Sequence, residues 1–138
     1  MGCDIHATLE YDKWKLKRPE DSHDWWAFAK DIDIDRGYYF FGILAGVRND
    51  EINSIAPPRG VPTNASFEFK QEYEDWGADA HTPSWVTFEE LRAWKHTTPK
   101  LEFDPEKDMK EQDFYKVMEM LAERYGDENV RLVFFFDN

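Results

Sequence analysis

Val130-Arg131-Leu132-Val133-Phe134-Phe135-Phe136 is a strongly apolar run without the alternation of a strand that has one wet face. A short β-branched and aromatic run of this kind belongs in the middle of a sheet, covered on both faces. Its natural partner is at the other end of the chain. Over Asp4–Tyr11, Ile5, Ala7 and Leu9 alternate with His6, Thr8 and Glu10, which is strand periodicity. The first and last strands are therefore expected to pair. Asp12-Lys13 reads as a turn and Trp14-Lys15-Leu16 resumes the alternation, which predicts an N-terminal hairpin. Residues 25–30 are aromatic and are open to a strand that pairs back onto the hairpin. Ile32 and Ile34 between aspartates give a weak edge-strand signal.

Helical spacing fills the middle of the chain. Residues 36–47 read as a buried helix, with Tyr38, Phe41, Leu44 and Ala45 on one face and Gly46 as its stop. Ser66 caps a helix over 67–76 whose apolar face is Phe69, Tyr73 and Trp76, and Gly77 ends it. Thr87 with Glu90 is a capping box for a helix running to about residue 96. Asp104-Pro105 or Asp108 begins the longest helix, with the stripe Phe114, Val117, Met118, Leu121 and Tyr125 ending at Gly126. Residues 48–65 and 78–87 read as loops, the first stiffened by Pro57, Pro58 and Pro62. The expectation is one α+β domain over residues 1–138. It has a small, mostly antiparallel sheet, built from an N-terminal hairpin and the C-terminal strand and packed with about four helices.

Composition narrows the function classes. The 138 residues carry 17 Lys+Arg against 29 Asp+Glu, a net charge of −12 that argues against broad binding to a nucleic-acid backbone. An aromatic content of 17% sets the chain apart from disordered acidic sequences. No apolar run reaches a membrane span, and Met1-Gly2-Cys3-Asp4-Ile5-His6 lacks the features of a secretory signal. A single cysteine fits a reducing cytoplasm.

That opening hexapeptide is unusual in combination with Leu44-Ala45-Gly46-Val47-Arg48-Asn49, Pro58-Arg59-Gly60-Val61-Pro62 and Asp79-Ala80-His81-Thr82-Pro83-Ser84-Trp85. Together these segments resemble a family of uncharacterised small proteins of bacteriophages and bacteria, over most of residues 1–96. The resemblance brings no assigned chemistry. It implies a phage or prophage setting, where accessory proteins often act on host defence.

Four constellations could carry chemistry. Asp4-x-His6 on a strand places both side chains on one face, and Asp79-x-His81 repeats the spacing in a loop. Asp4, His6, Asp79 and His81 could together hold a divalent metal, with a satisfied strand histidine and a loop cap as the plainer reading. Cys3 projects away from that set. Arg48 and Arg59, beside Asn49 and Gly60, offer guanidinium forks to a phosphate, or else pair with the many acids. Trp76 and Trp85 bracket the Asp-x-His loop and could stack a base, or are core. His6-Ala7-Thr8 and His96-Thr97-Thr98 resemble the paired motifs of two-histidine phosphoesterases, although His96 falls at a helix end rather than on a strand. Finally, acids crowd residues 20–35, 68–79 and 102–128, giving a surface that could mimic DNA or simply stay solvated.

The leading expectation is a binding protein whose loops form a polar pocket for an anionic small molecule, such as a nucleotide signal used by host defence. Its candidate residues are Asp4, His6, Arg48, Asn49, Arg59, Asp79, His81 and Trp85. The alternatives are an acidic inhibitor of a host DNA-binding protein and a histidine- or metal-dependent phosphoesterase. A homodimer could complete the pocket.

Overall fold

The computed structural model describes residues 3–13, 24–30, 32, 34, 38–47, 52–97 and 103–137. Four strands, β1 (Asp4–Tyr11), β2 (Trp26–Ala29), β3 (Ala80–Thr87) and β4 (Val130–Asp137), form one antiparallel sheet in the order β2-β1-β4-β3. Among the described residues five α-helices accompany it: α1 (Tyr38–Ala45), α2 (Phe67–Trp76), α3 (Phe88–Ala93), α4 (Pro105–Glu111) and α5 (Asp113–Tyr125). This is the α+β class expected from the sequence. No helix among the described residues is long and apolar enough to cross a membrane.

The central strand explains its own composition. β4 pairs with β1 from Asp4↔Asp137 to Tyr11↔Val130 and with β3 on its other edge, and all eight of its residues are buried. Leu132, Phe134 and Phe136 enter the main core with Ala7, Leu9, α1, α3 and α5. Phe41 of α1 meets Phe136 at 5.0 Å, and Phe40 meets Phe114 of α5 at 5.2 Å. Val133 and Phe135 face the opposite way, into a second cluster with Phe69 of α2, Ala65, Val61 and Trp85. A strand with apolar cover on both faces has no reason to alternate. Cys3 lies buried in the main core, on the face away from His6.

Three expectations change. Residues 78–87 are not a loop: after a 3-10 turn (Gly77–Asp79) they form the edge strand β3. Its pattern was hidden by Pro83 and by a register shift between His81 and Ser84, features that sheets tolerate at edges and bulges. The long C-terminal helix is two helices. Asp104 caps α4 by accepting from the backbone N–H groups of Glu106 and Lys107, and extended backbone at Gln112 (ψ 146°) separates α5. The second arm of the hairpin, Trp14 to Leu16, lies outside the described residues, while β2 does pair back onto β1. β2 covers only residues 9–11 of β1, so the first half of β1 runs beyond it.

The proline-rich loop has a structural task at the far edge. The N–H of Gly60 donates to Pro83 O (2.9 Å), the N–H of Arg59 to Ser84 Oγ (2.9 Å), and Arg59 Nη1 to Trp85 O (3.0 Å). The loop thus takes up groups on the outer edge of β3, which a bare edge strand would offer to another chain.

Candidate functional site

His6 stands on the first half of β1, on the α2 face of the sheet, opposite Phe135. Its ring is held between Phe135, with centroids 5.0 Å apart, and Trp76 of α2, 4.5 Å away. Nε2 lies 2.6 Å from Oδ2 of Asp137, which is diagonal to His6 across the β1–β4 pair. A carboxylate only accepts, so Nε2 carries the proton in this contact and Nδ1 is left for the other side. There Oε1 of Glu72 lies 3.8 Å from Nδ1, beyond hydrogen-bond reach. The side chains of His6, Glu72 and Asp137 are 20%, 11% and 12% exposed, whereas Trp76 is 38% exposed.

These groups border a cleft of about 580 Å³ lined by Ile5, His6, Ala7, Ile32, Ile34, Glu72 and Trp76. The cleft opens where β2 stops short. Ile32 reaches back to donate its N–H to Ala7 O at 3.0 Å, and Ile32 and Ile34 stand at the outer wall. α2 supplies the upper wall. Ser66 begins it by accepting from the N–H of Phe69, and Glu72 and Trp76 share one face at i, i+4. The site therefore combines an oriented imidazole, a carboxylate and an indole on rigid elements.

The structure does not bring the four Asp/His positions together around one ion. His6 and His81 are on opposite faces of the sheet, since His6 is opposite Phe135 and His81 opposite Phe136, and adjacent residues of β4 point to opposite faces. His81 stacks on Phe136 (6.1 Å), and its Nδ1 is 2.8 Å from Thr82 Oγ1. Its buried Nε2 has no hydrogen-bond partner among the described residues, and Thr82 adopts φ 53°, a left-handed backbone that is rare outside glycine. Asp4 is exposed at the start of β1, opposite Asp137, and Asp79 is exposed in the 3-10 turn.

Nor does Arg59 face the cleft. Its guanidinium pairs bidentately with Glu90 and lies 4.5 Å over the Trp85 ring. The bonded Glu90 holds Arg59 above its ordinary pKa, and Arg59 in turn holds the Glu90 carboxyl below the usual range. Trp85 is thus committed to Arg59 and to the second core cluster, and the Arg131 guanidinium lies 5.8 Å from its ring. Arg48 and Asn49 lie outside the described residues. Nor is His96 on a strand, as the paired-histidine phosphoesterase motif requires: it follows α3 and bonds Glu106 of α4 at 2.8 Å.

Sequence reading singles out His6 and Trp76 but not Glu72 and Asp137, which the fold sets beside them. Glu72 was legible as the residue one turn before Trp76 on the same helix face. Asp137 required the β1–β4 register, which no local pattern supplies. No family model, curated protein or solved structure matches this chain.

Proposed function

We propose that the protein is a binding domain for a small molecule with a planar, N–H-rich head group, seated in the His6 cleft. The observation that carries this reading is the juxtaposition of His6 Nδ1 and Glu72 Oε1, 3.8 Å apart beside the half-exposed indole of Trp76. With His6 in its neutral Nε2–H tautomer, one amino or amidinium nitrogen at about 2.9 Å from each atom can donate to both. A carboxylate offers about four acceptor positions, so Glu72 can serve such a donor alongside other contacts. The plane of the ligand then stacks on Trp76. A nucleobase meets these requirements, and a nucleotide would enter base first with its phosphates turned to solvent, away from Glu72 and Asp137. In the phage setting that the sequence resemblance implies, such binding would sequester a base-bearing host signal.

Calorimetric titration of the intact protein with adenosine, benzamidine and inorganic phosphate tests the reading. Adenosine or benzamidine should bind and phosphate should not. Base–aromatic stacking is worth about 1–3 kcal/mol, so Trp76→Ala should weaken binding roughly 5- to 150-fold. Tighter binding of phosphate than of either planar probe would overturn the reading, as would unchanged affinity in Trp76→Ala.

A second reading, an acidic protein-binding surface, draws on a different region. Trp26, Phe28 and Phe67 are 46%, 48% and 70% exposed, and Asp24 and Glu68 border the cleft between β2 and α2. Exposed aromatics beside acids suit a basic protein partner. Association should then weaken steeply with salt and be lost in Trp26→Ser/Phe67→Ser; salt-independent association would count against it.

A further inference from the structure

We infer that His96, Asp104 and Glu106 form a binding site for a divalent transition-metal ion, separate from the His6 cleft. The three residues come from two segments: the stretch that follows α3, and the start of α4 with its cap. Each contributes one ligand atom, and these atoms all lie within 4.8 Å of one another. His96 presents Nδ1, at 2.8 Å from Glu106 Oε2, and the ring is steadied by Trp94 at 6.3 Å. Trp94 is itself buried and anchored by donating Nε1–H to Asn53 O at 3.1 Å, so the imidazole is delivered from a fixed point.

The donor set defines the class of ion. One imidazole and two carboxylates suit Zn²⁺ and its transition-metal neighbours, at about 2.0–2.2 Å per ligand. Mg²⁺ and Ca²⁺ prefer all-oxygen shells and should bind poorly. A small closure of the ligand atoms from their present spacing brings all three within reach of one ion, with water in the remaining positions. The carboxylate is at present paired with Lys95, whose Nζ lies 3.0 Å from Glu106 Oε1, and with His96 Nδ1, and an ion entering the site replaces both contacts. The Lys95 side chain is 69% exposed and can swing into water, so the site exchanges a weak surface pair for a chelate.

Zinc titration of the chelator-treated, intact protein by calorimetry tests the site. The expected result is one Zn²⁺ per chain. Outer-shell partners alone change metal affinity about 10- to 100-fold, so His96→Ala should lose at least roughly 100-fold. Lys95→Ala removes a competing surface cation and should tighten binding by about 1.5- to 5-fold. His6→Ala should leave affinity unchanged. Both loop residues are solvent-facing in part, and thermal melts of the variants check that they remain folded. Zinc binding equal in the native protein and His96→Ala overturns the proposal, as does binding that His6→Ala abolishes. Weaker binding in Lys95→Ala would also refute it, since that side chain would then be part of the site rather than its competitor.

Discussion

Replacing Glu10 by Leu should destabilise the protein far more than replacing Glu10 and Arg131 together. Glu10 of β1 is fully buried and sits directly opposite Arg131 of β4. Its Oε1 accepts from Arg131 Nε at 2.8 Å, and its Oε2 accepts from the N–H of Ser66, the cap residue of α2, at 2.7 Å. Arg131 also donates to Asn64 O at 3.2 Å and stacks 3.9 Å from the Trp25 ring. Burial pulls the Arg131 guanidinium below its ordinary pKa, and Glu10 is the main opposing influence. Without Glu10, that cation stays buried with one carbonyl, the Trp25 and Trp85 rings and only the longer-range attraction of Asp12. Breaking one side of a buried pair costs about 3–5 kcal/mol, and the orphaned Ser66 N–H adds roughly 1–3 kcal/mol. This is a large part of the 5–15 kcal/mol that holds a typical domain together, so Glu10→Leu is expected near the edge of folding at 25 °C. Glu10→Leu/Arg131→Met removes both charges and should recover most of the loss, because apolar replacement of a whole buried pair is often close to neutral. Urea denaturation of the three proteins, comparing midpoints at unchanged slope, reads the difference. A Glu10→Leu cost below about 1 kcal/mol would show that the pair is not buried as described. A double variant no better than the single would show that packing, not charge, holds this part of the sheet.

Two further outcomes follow from the far edge of the sheet. Glu90 has a folded pKa below its ordinary 4.5, so its pair with Arg59 contributes stability above that value and loses it as pH falls through the lowered one. Glu90→Gln should therefore flatten the acid limb of stability between about pH 5 and 3, measured by thermal melts at fixed ionic strength; an unchanged limb would exclude the pair as a contributor. Gly60 adopts φ 82° with nothing within 4 Å of where a Cβ would stand, so Gly60→Ala should cost only the left-handed backbone penalty, about 1–2 kcal/mol, and a cost of 3 kcal/mol or more would point to a contact absent from this fold.

The elements with strong local signals were legible in the sequence. Ser66 and Gly77 bound α2, the Thr87/Glu90 capping box starts α3, and the unbroken apolar run became the central strand. What sequence could not give were features set by distant partners. β3 carries Pro83 and a bulge because its outer edge is finished by Arg59 and Gly60 rather than by another strand, and this is why it reads as a loop. Glu90 was read as half of a capping box; in the structure its Oε1 accepts from the N–H of Thr87 at 3.0 Å while the same carboxylate grips Arg59, 31 residues away. Asp4-x-His6 and Asp79-x-His81 looked like a repeated motif, yet register places their imidazoles on opposite faces of β4. Spacing along the chain determines which face a residue takes within a strand, but not which face of the shared sheet a second strand presents.

The same logic bears on the polarity of the proposed ligand. An anion-binding pocket in an acidic chain needs cations that the fold leaves facing outward. Among the described residues, each arginine is already engaged: Arg59 with Glu90, Arg92 with Glu119 and Asp127, Arg131 with Glu10, and Arg124 against the Tyr125 ring. Two of these hold the scaffold itself, Arg59 by covering an edge strand and Arg131 by joining β1, β4 and the start of α2. The groups that face the His6 cleft are of the opposite sign. Asp137 orients the imidazole, and Glu72 stands across from its second nitrogen. A carboxylate close to the ring makes a phosphate the least favourable occupant and an amino or amidinium group the most favourable one. On the reading proposed above, the cleft takes the donor-bearing edge and aromatic face of its ligand, and any phosphate on that ligand projects beyond Trp76 into solvent.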